Sequence, residues 1–200
     1  MTELNVSRET LDRLKTYEAL LKKWNPAINL VAKSTISEAW TRHFVDSAQI
    51  FDLTPPETHH WVDIGSGGGF PGLVVTIMAA DARPEMKTTL IESDLRKSTF
   101  LRTVIRETGI QAEVIAERIE KAPAQQADVL SARALASLND LLGFAERHLS
   151  PKGLAVFPKG KTSVDEIDAA LENWRFDLHK EISQTDPDAV ILRIRNISRA

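Results

Sequence analysis

Apolar residues recur at three- and four-residue steps near the start of the chain, at Leu11, Leu14, Tyr17, Leu21 and Trp24. That spacing gathers them on one face of a helix. Ser7 suits its N-cap, Glu9 falls in its first turn, and Asn25-Pro26 is expected to stop it. A second stripe, Ile36, Trp40, Phe44, Ser47 and Phe51, follows at similar spacing. Thr54-Pro55-Pro56-Glu57 then reads as a boundary, closing an amino-terminal helical arm over residues 1–57 that packs on the remainder, 58–200. Trp24 and Trp40 sit on these apolar stripes and are expected in the core rather than as stacking platforms for bases.

From His60 the rhythm changes to short apolar runs separated by helical stretches. Strands are expected at 61–64, 88–92, 112–116, 128–131 and 154–157, with a closing pair at 176–182 and 189–197. Between them the pattern predicts helices over 71–80, 94–108 ended by Gly109, 137–149 and 165–174. Strands alternating with helices imply an α/β fold, a mostly parallel twisted sheet of about seven strands with helices on both faces. Ligands of such sheets bind at the carboxyl ends of the strands. Gln184-Thr185-Asp186-Pro187-Asp188 joins the last two strands as an antiparallel hairpin at the sheet's edge.

Composition narrows the chemistry. There is no cysteine, which removes disulfides, thiolate metal sites and a Cys nucleophile, and the five His show no metal-ligand spacing, so no protein-held metal is expected. No apolar run approaches the ~18 residues of a membrane span. Met1-Thr2-Glu3-Leu4-Asn5 lacks the basic-then-apolar layout of a secretory leader, and a soluble cytoplasmic protein is expected. Lys and Arg number 25 against 28 Asp and Glu, a formal charge of −3, which argues against an indiscriminate polyanion binder.

The densest signal is Asp63-Ile64-Gly65-Ser66-Gly67-Gly68-Gly69-Phe70-Pro71-Gly72, directly after the first strand. Glycines let a backbone turn tightly and approach a ligand, and Pro71 suits the first residue of the next helix. A dinucleotide fingerprint would need a third glycine where Phe70 stands, and Asp63 would repel a diphosphate. The same carboxylate suits a cation, which favours S-adenosylmethionine, with its sulfonium and ammonium, over NAD. Asp63, Gly65, Ser66, Gly67, Gly69 and Phe70 are therefore candidate cofactor residues. Glu92, at the end of the second strand, is placed to accept from both ribose hydroxyls.

These residues resemble the class I methyltransferases, which have a Rossmann-like fold, and within them the RsmG family, also called glucose-inhibited division protein B. Four stretches carry the likeness: Trp24-Asn25-Pro26-Ala27-Ile28-Asn29-Leu30, Arg42-His43-Phe44-Val45-Asp46-Ser47, the glycine loop, and Ser131-Ala132-Arg133-Ala134-Leu135-Ala136-Ser137-Leu138. The resemblance implies methyl transfer from S-adenosylmethionine to N7 of one guanine in 16S rRNA, guanine 527 in ribosomal numbering. It also implies that Gly65 and Phe70 line the cofactor site, that Ile119-Glu120 meets the adenine, and that Arg133 stands at the cofactor and substrate end of the fourth strand. Phe157-Pro158-Lys159-Gly160 departs from the aliphatic residue the family more often has before Lys-Gly.

Guanine N7 has an exposed lone pair, so no general base is required, and the sequence shows no acid-base dyad. The enzyme's work is alignment. Arg133 and Lys159 are the candidates for positioning the guanine or its phosphate. Arg42, His43, Asp46, Arg96, Lys97 and Lys161 are candidate RNA contacts, although Arg42, His43 and Asp46 could equally fasten the arm to the sheet. Two segments support a local basic face: residues 83–106 hold six basic against three acidic residues, and 131–161 hold five against two. The expected partner is 16S rRNA in the small subunit or an assembly intermediate, met by a monomer. Methylation of a small molecule, or a non-enzymatic ribosome-assembly role, would use the same loop.

Overall fold

The computed structural model describes residues 4–200, so Met1, Thr2 and Glu3, read above as lacking a leader pattern, lie outside the described residues. Helix α1 spans Arg8–Ile28, with the Ser7 side chain accepting from the Thr10 N–H. Contrary to the sequence expectation, Asn25-Pro26 does not stop it. Pro26 falls in the last turn, where only one intrahelical bond is lost, and the end comes at Asn29 in the left-handed conformation (φ 48°). The Asn25 side chain instead accepts from Val31 N–H at 2.9 Å and pins the turn that follows.

The second stripe is not one helix. Lys33–Glu38 forms a 3-10 turn, Trp40–Val45 a π-helical turn, and Asp46–Asp52 the short helix α2. The wider π turn holds His43, Phe44 and Val45 in the interior together. Trp40 stacks on Phe44, and Trp24 packs against Phe100.

Seven strands follow: β1 His60–Ile64, β2 Lys87–Ile91, β3 Glu113–Ile115, β4 Ala127–Ser131, β5 Leu149–Lys159, β6 Trp174–Ile182 and β7 Val190–Arg199. Helices α3 Gly72–Ala82, α4 Leu95–Thr108, α5 Leu138–His148 and α6 Ser163–Leu171 alternate with them. The sheet order is β3-β2-β1-β4-β5-β7-β6, parallel except for the antiparallel β5-β7 and β7-β6 pairs. Several boundaries differ from the pattern, three of them for reasons the contacts show. Pro71 caps α3 from outside. β5 begins at Leu149 because Leu149 pairs with Ala127 across a register shift. Trp174, expected to end a helix, opens β6 as a buried ring whose Nε1 donates to Asn139.

Strand order reverses between β1 and β4, and the crevice at their carboxyl ends is where such sheets take ligands. The arm is welded to this end by apolar packing. Leu14, Tyr17 and Leu21 of α1 share one buried cluster with Phe70, Leu73, Val74 and Phe100. Each such side chain contributes about 1.5–3 kcal/mol on full burial. Thr10 adds a hydrogen bond to Asp81 of α3 at 2.6 Å. No helix among the described residues is long and apolar enough to cross a membrane.

Candidate active site

The loop after β1 is held open by backbone bonds. Ser66 N–H donates to Ile91 O at 3.2 Å and its hydroxyl to Asp63 O at 2.9 Å, while the Tyr17 hydroxyl from α1 donates to Gly68 O. Gly65 and Gly69 adopt φ of 62° and 92°. A side chain at Gly65 would run into Leu135, which faces it from the loop after β4. Gly69 turns inward against Leu73 and Tyr17, so its role is packing rather than ligand approach.

Asp63 does not reach this opening. Its side chain is fully buried beneath the loop, where Oδ1 accepts from the Ser131 hydroxyl at 2.6 Å, itself an acceptor for Trp61 Nε1 at 2.8 Å. Oδ2 has no hydrogen-bond partner among the described residues. Burial pushes this carboxyl up from 3.8 to about 6, against the lowering effect of Ser131, Ser66, Arg133 and Gly72. The folded state thus keeps a proton that the unfolded chain has lost. The resulting destabilisation is absent below about pH 4, grows through about pH 6 and is complete above it, on the order of 3 kcal/mol. The stability difference between Asp63→Asn and the wild type, from urea melts, is therefore expected to move in the variant's favour by about 2 kcal/mol from pH 4.5 to 7.5, the remainder having developed below pH 4.5; a constant gap would refute it.

Glu92, just past β2, faces the cleft. Its Oε2 accepts from Gly67 N–H and its Oε1 from Asp94 N–H, both at 2.8 Å. Each oxygen retains a lone pair for a ligand hydroxyl. Gly65, Ser66, Gly67, Phe70, Ile119, Glu120 and Arg133 line the same cleft, of roughly 930 Å³, within the range of small-ligand sites. Ile119 and Phe144 give it an apolar wall, and Lys33, Lys97 and Arg118 stand along it with Glu117.

Arg133 closes the far side. Its guanidinium lies 4.8 Å from the Phe70 ring centroid, and Nη1 donates to His43 Nδ1 at 2.9 Å and to Arg42 O at 3.3 Å. His43 must then carry its proton on Nε2, donating to Thr35 Oγ1 at 2.8 Å, and Thr35 donates onward to Ala32 O at 2.8 Å. Burial first, then Arg133 and Arg42, lowers His43 to about 3, so the ring is neutral across the physiological range. It serves as a fixed acceptor that aims the arginine.

A family model described as rRNA small subunit methyltransferase G matches residues 10–189. The chain belongs to this family. Among relatives, the rRNA small subunit methyltransferase G of Ruegeria sp. (strain TM1040) is 54% identical over 98% of this chain and 96% of that protein. The Rhodospirillum centenum enzyme of the same name is 54% identical over 96% and 87%. The fold also matches solved structures of low identity. A SAM-dependent methyltransferase from Aquifex aeolicus aligns with a TM-score of 0.61 at 15% identity, over 88% of this chain and 96% of that one. M. jannaschii TYW2 in complex with AdoMet aligns at 0.53 and 13%, over 85% and 78%.

In this member of the family the remaining predicted residues are distributed unevenly. Lys97 borders the cofactor-sized cleft, but Arg96 points to Asp94 on an exposed surface. Lys161 pairs with Asp188 in solvent. The Lys159 ammonium is already engaged, donating to Glu166 at 2.6 Å and to Ala136 O at 2.9 Å, which makes it a strut under the Ala134–Ala136 loop rather than a free donor. Arg42 pairs with Asp186 at 3.4 Å. Asp46 accepts through Oδ1 from Gln49 at 2.9 Å and Thr185 at 2.6 Å, tying the arm to the β6-β7 turn. Sequence reasoning gave Tyr17 only a core position and did not single out Thr35 or Leu135. Their roles depend on pairings between distant segments, and no local spacing signals them.

Proposed function

We propose that the protein transfers the methyl group of S-adenosylmethionine to N7 of one guanine of 16S rRNA, guanine 527 in ribosomal numbering. It would act in the cytoplasm as a monomer on the small subunit or an assembly intermediate. The observation that carries this reading is the match of nearly the whole chain to small-subunit rRNA methyltransferases. The cleft at the β1-β4 reversal fits the cofactor. Glu92 offers spare lone pairs for the ribose diol, the Gly65-Ser66-Gly67 backbone allows close approach, and the apolar Ile119 beside Glu120 suits an adenine ring and its amino group.

When bound, S-adenosylmethionine supplies a methyl carbon on a positively charged sulfur. Guanine N7 needs no deprotonation to attack it, which agrees with a cleft whose His43 is a neutral, fully engaged acceptor rather than a base. The residues' task is to hold the ring in line and keep N7 unbonded. Arg133 has Nη2 and Nε without hydrogen-bond partners among the described residues, and can donate to guanine O6. Lys33, Lys97 and Arg118 line the cleft beside Glu117 and would offer phosphates a short run of basic side chains on a protein whose overall charge is −3. Binding is therefore expected to be salt-sensitive, with the folded rRNA context supplying selection.

The test is incubation with small subunits lacking the modification and labelled S-adenosylmethionine, with mapping of the methylated nucleotide. Label in one guanine at N7 supports the reading, and transfer to small molecules alone, or cofactor binding without transfer, overturns it. Within the same framework, Glu92→Ala removes the ribose acceptor and leaves Gly67 N–H unpaired. Cofactor affinity by calorimetry should fall on the order of tenfold to a hundredfold. An unchanged affinity would remove Glu92 from the site.

A further inference from the structure

A second cleft of roughly 490 Å³ adjoins the first, and the two share a wall made by Thr35, His43, Arg133 and the Ala134-Leu135-Ala136 loop. It lies between the arm, the end of β5 and the β6-β7 turn. Pro158, Val190 and Ile191 give it apolar surface, while Asp46, Glu166 and Asp186 bring carboxylates to it.

Those three carboxylates are not equivalent. Glu166 accepts from Lys159, Leu138 N–H and Thr162, and Asp186 accepts from Arg42 and Asp188 N–H. Asp46 has its Oδ1 saturated by Gln49, Thr185 and Ser183, but its Oδ2 accepts no hydrogen bond among the described residues. That oxygen lies 3.8 Å from the Arg133 guanidinium. Both side chains are mostly buried, at 19% and 18% exposure, so neither is a loose surface group.

A donor and an open acceptor side by side match one edge of guanine, where O6 accepts and the neighbouring N1–H and exocyclic amino group donate. Adenine reverses the first two. Deepening the functional reading above, we propose that the second cleft is the pocket for the target guanine, with Asp46 Oδ2 accepting from its N1–H and amino group while Arg133 donates to O6. N7 then stays free on the side toward the cofactor cleft. As N7 gains its methyl group the purine becomes cationic and its N1–H a stronger donor. The bond to Asp46 therefore strengthens on the way to the transition state.

Asp46→Asn tests this. The amide oxygen can keep the Oδ1 bonds that fasten the β6-β7 turn, which places an NH2 where the pocket needs an acceptor. Variant and wild type are compared on small subunits reconstituted with guanosine or with inosine, which lacks the exocyclic amino group, at the target position. The wild type should favour guanosine in kcat/KM by on the order of tenfold, the loss of one hydrogen bond to a charged acceptor. Asp46→Asn should lower guanosine activity by at least that factor and bring the guanosine-to-inosine ratio close to one, with cofactor affinity unchanged. A variant that loses activity equally on both substrates, or that retains wild-type activity, overturns the assignment and leaves Asp46 a fastening residue. Wild-type protein that methylates neither substrate overturns the functional reading itself and the pocket with it.

Discussion

Replacing Arg133 with Ala is expected to lower kcat/KM for rRNA methylation by on the order of 10²- to 10³-fold, the usual loss when a fixed donor at a reacting centre is removed. Arg133 borders both clefts, so one deletion acts on both. It also leaves His43 Nδ1 without its donor and Asp46 Oδ2 without a neighbouring cation. Arg133→Lys should recover little, because an ammonium cannot span His43 and Arg42 O while presenting further donors to a ligand. Steady-state kinetics on undermethylated subunits, beside a thermal melt to verify folding, checks both variants. A folded Arg133→Ala protein with full activity would remove the residue from the site.

Gly69→Ala is expected to damage the fold rather than the chemistry. At φ 92° an L residue is strained, and its Cβ would overlap Leu73 Cδ1 and lie 2.6 Å from the Tyr17 hydroxyl oxygen. Backbone strain and overpacking together amount to on the order of 4 kcal/mol, or roughly 10 °C in Tm for a domain of this size. Gly109→Ala is the matched control. That glycine also has positive φ, 66°, but a Cβ there meets nothing within 4 Å, so only about 1 kcal/mol of strain is expected. Equal losses at the two positions would show that crowding beneath the loop contributes nothing.

Much of the fold was legible because burial imposes periods on the chain. The alternation of short apolar runs with amphipathic stretches marked all seven strands, with ends shifted where pairing rather than hydropathy decides them, as at Leu149. Ser7, Asp94 and Ser137 cap their helices as side chains of that chemistry do. The stripe from Ile36 to Phe51 misled because three-to-four spacing does not distinguish one straight helix from a 3-10 turn, a π turn and an α-helix in succession.

The glycine loop and the acid just past β2 pointed to a ligand site at the carboxyl ends of the strands and to the class of chemistry, while the place of Arg133 came from the family resemblance. The first two are local signals, carried by residues whose backbone freedom or strand position is fixed by near neighbours. What each charged side chain faces was decided only by the tertiary structure. Asp63 and Glu92 both follow or end a strand beside the loop, yet one is sealed beneath it and the other opens to the cleft. Lys159 and Arg133 are both basic residues near strand ends, but Glu166 occupies the lysine while His43 aims the arginine. Burial and hydrogen-bond partners come from segments about 70 to 90 residues apart, as with Ser131 for Asp63 and His43 for Arg133. A sequence pattern reports which elements form; only their packing sets which polar atoms are satisfied inside and which remain to meet a substrate.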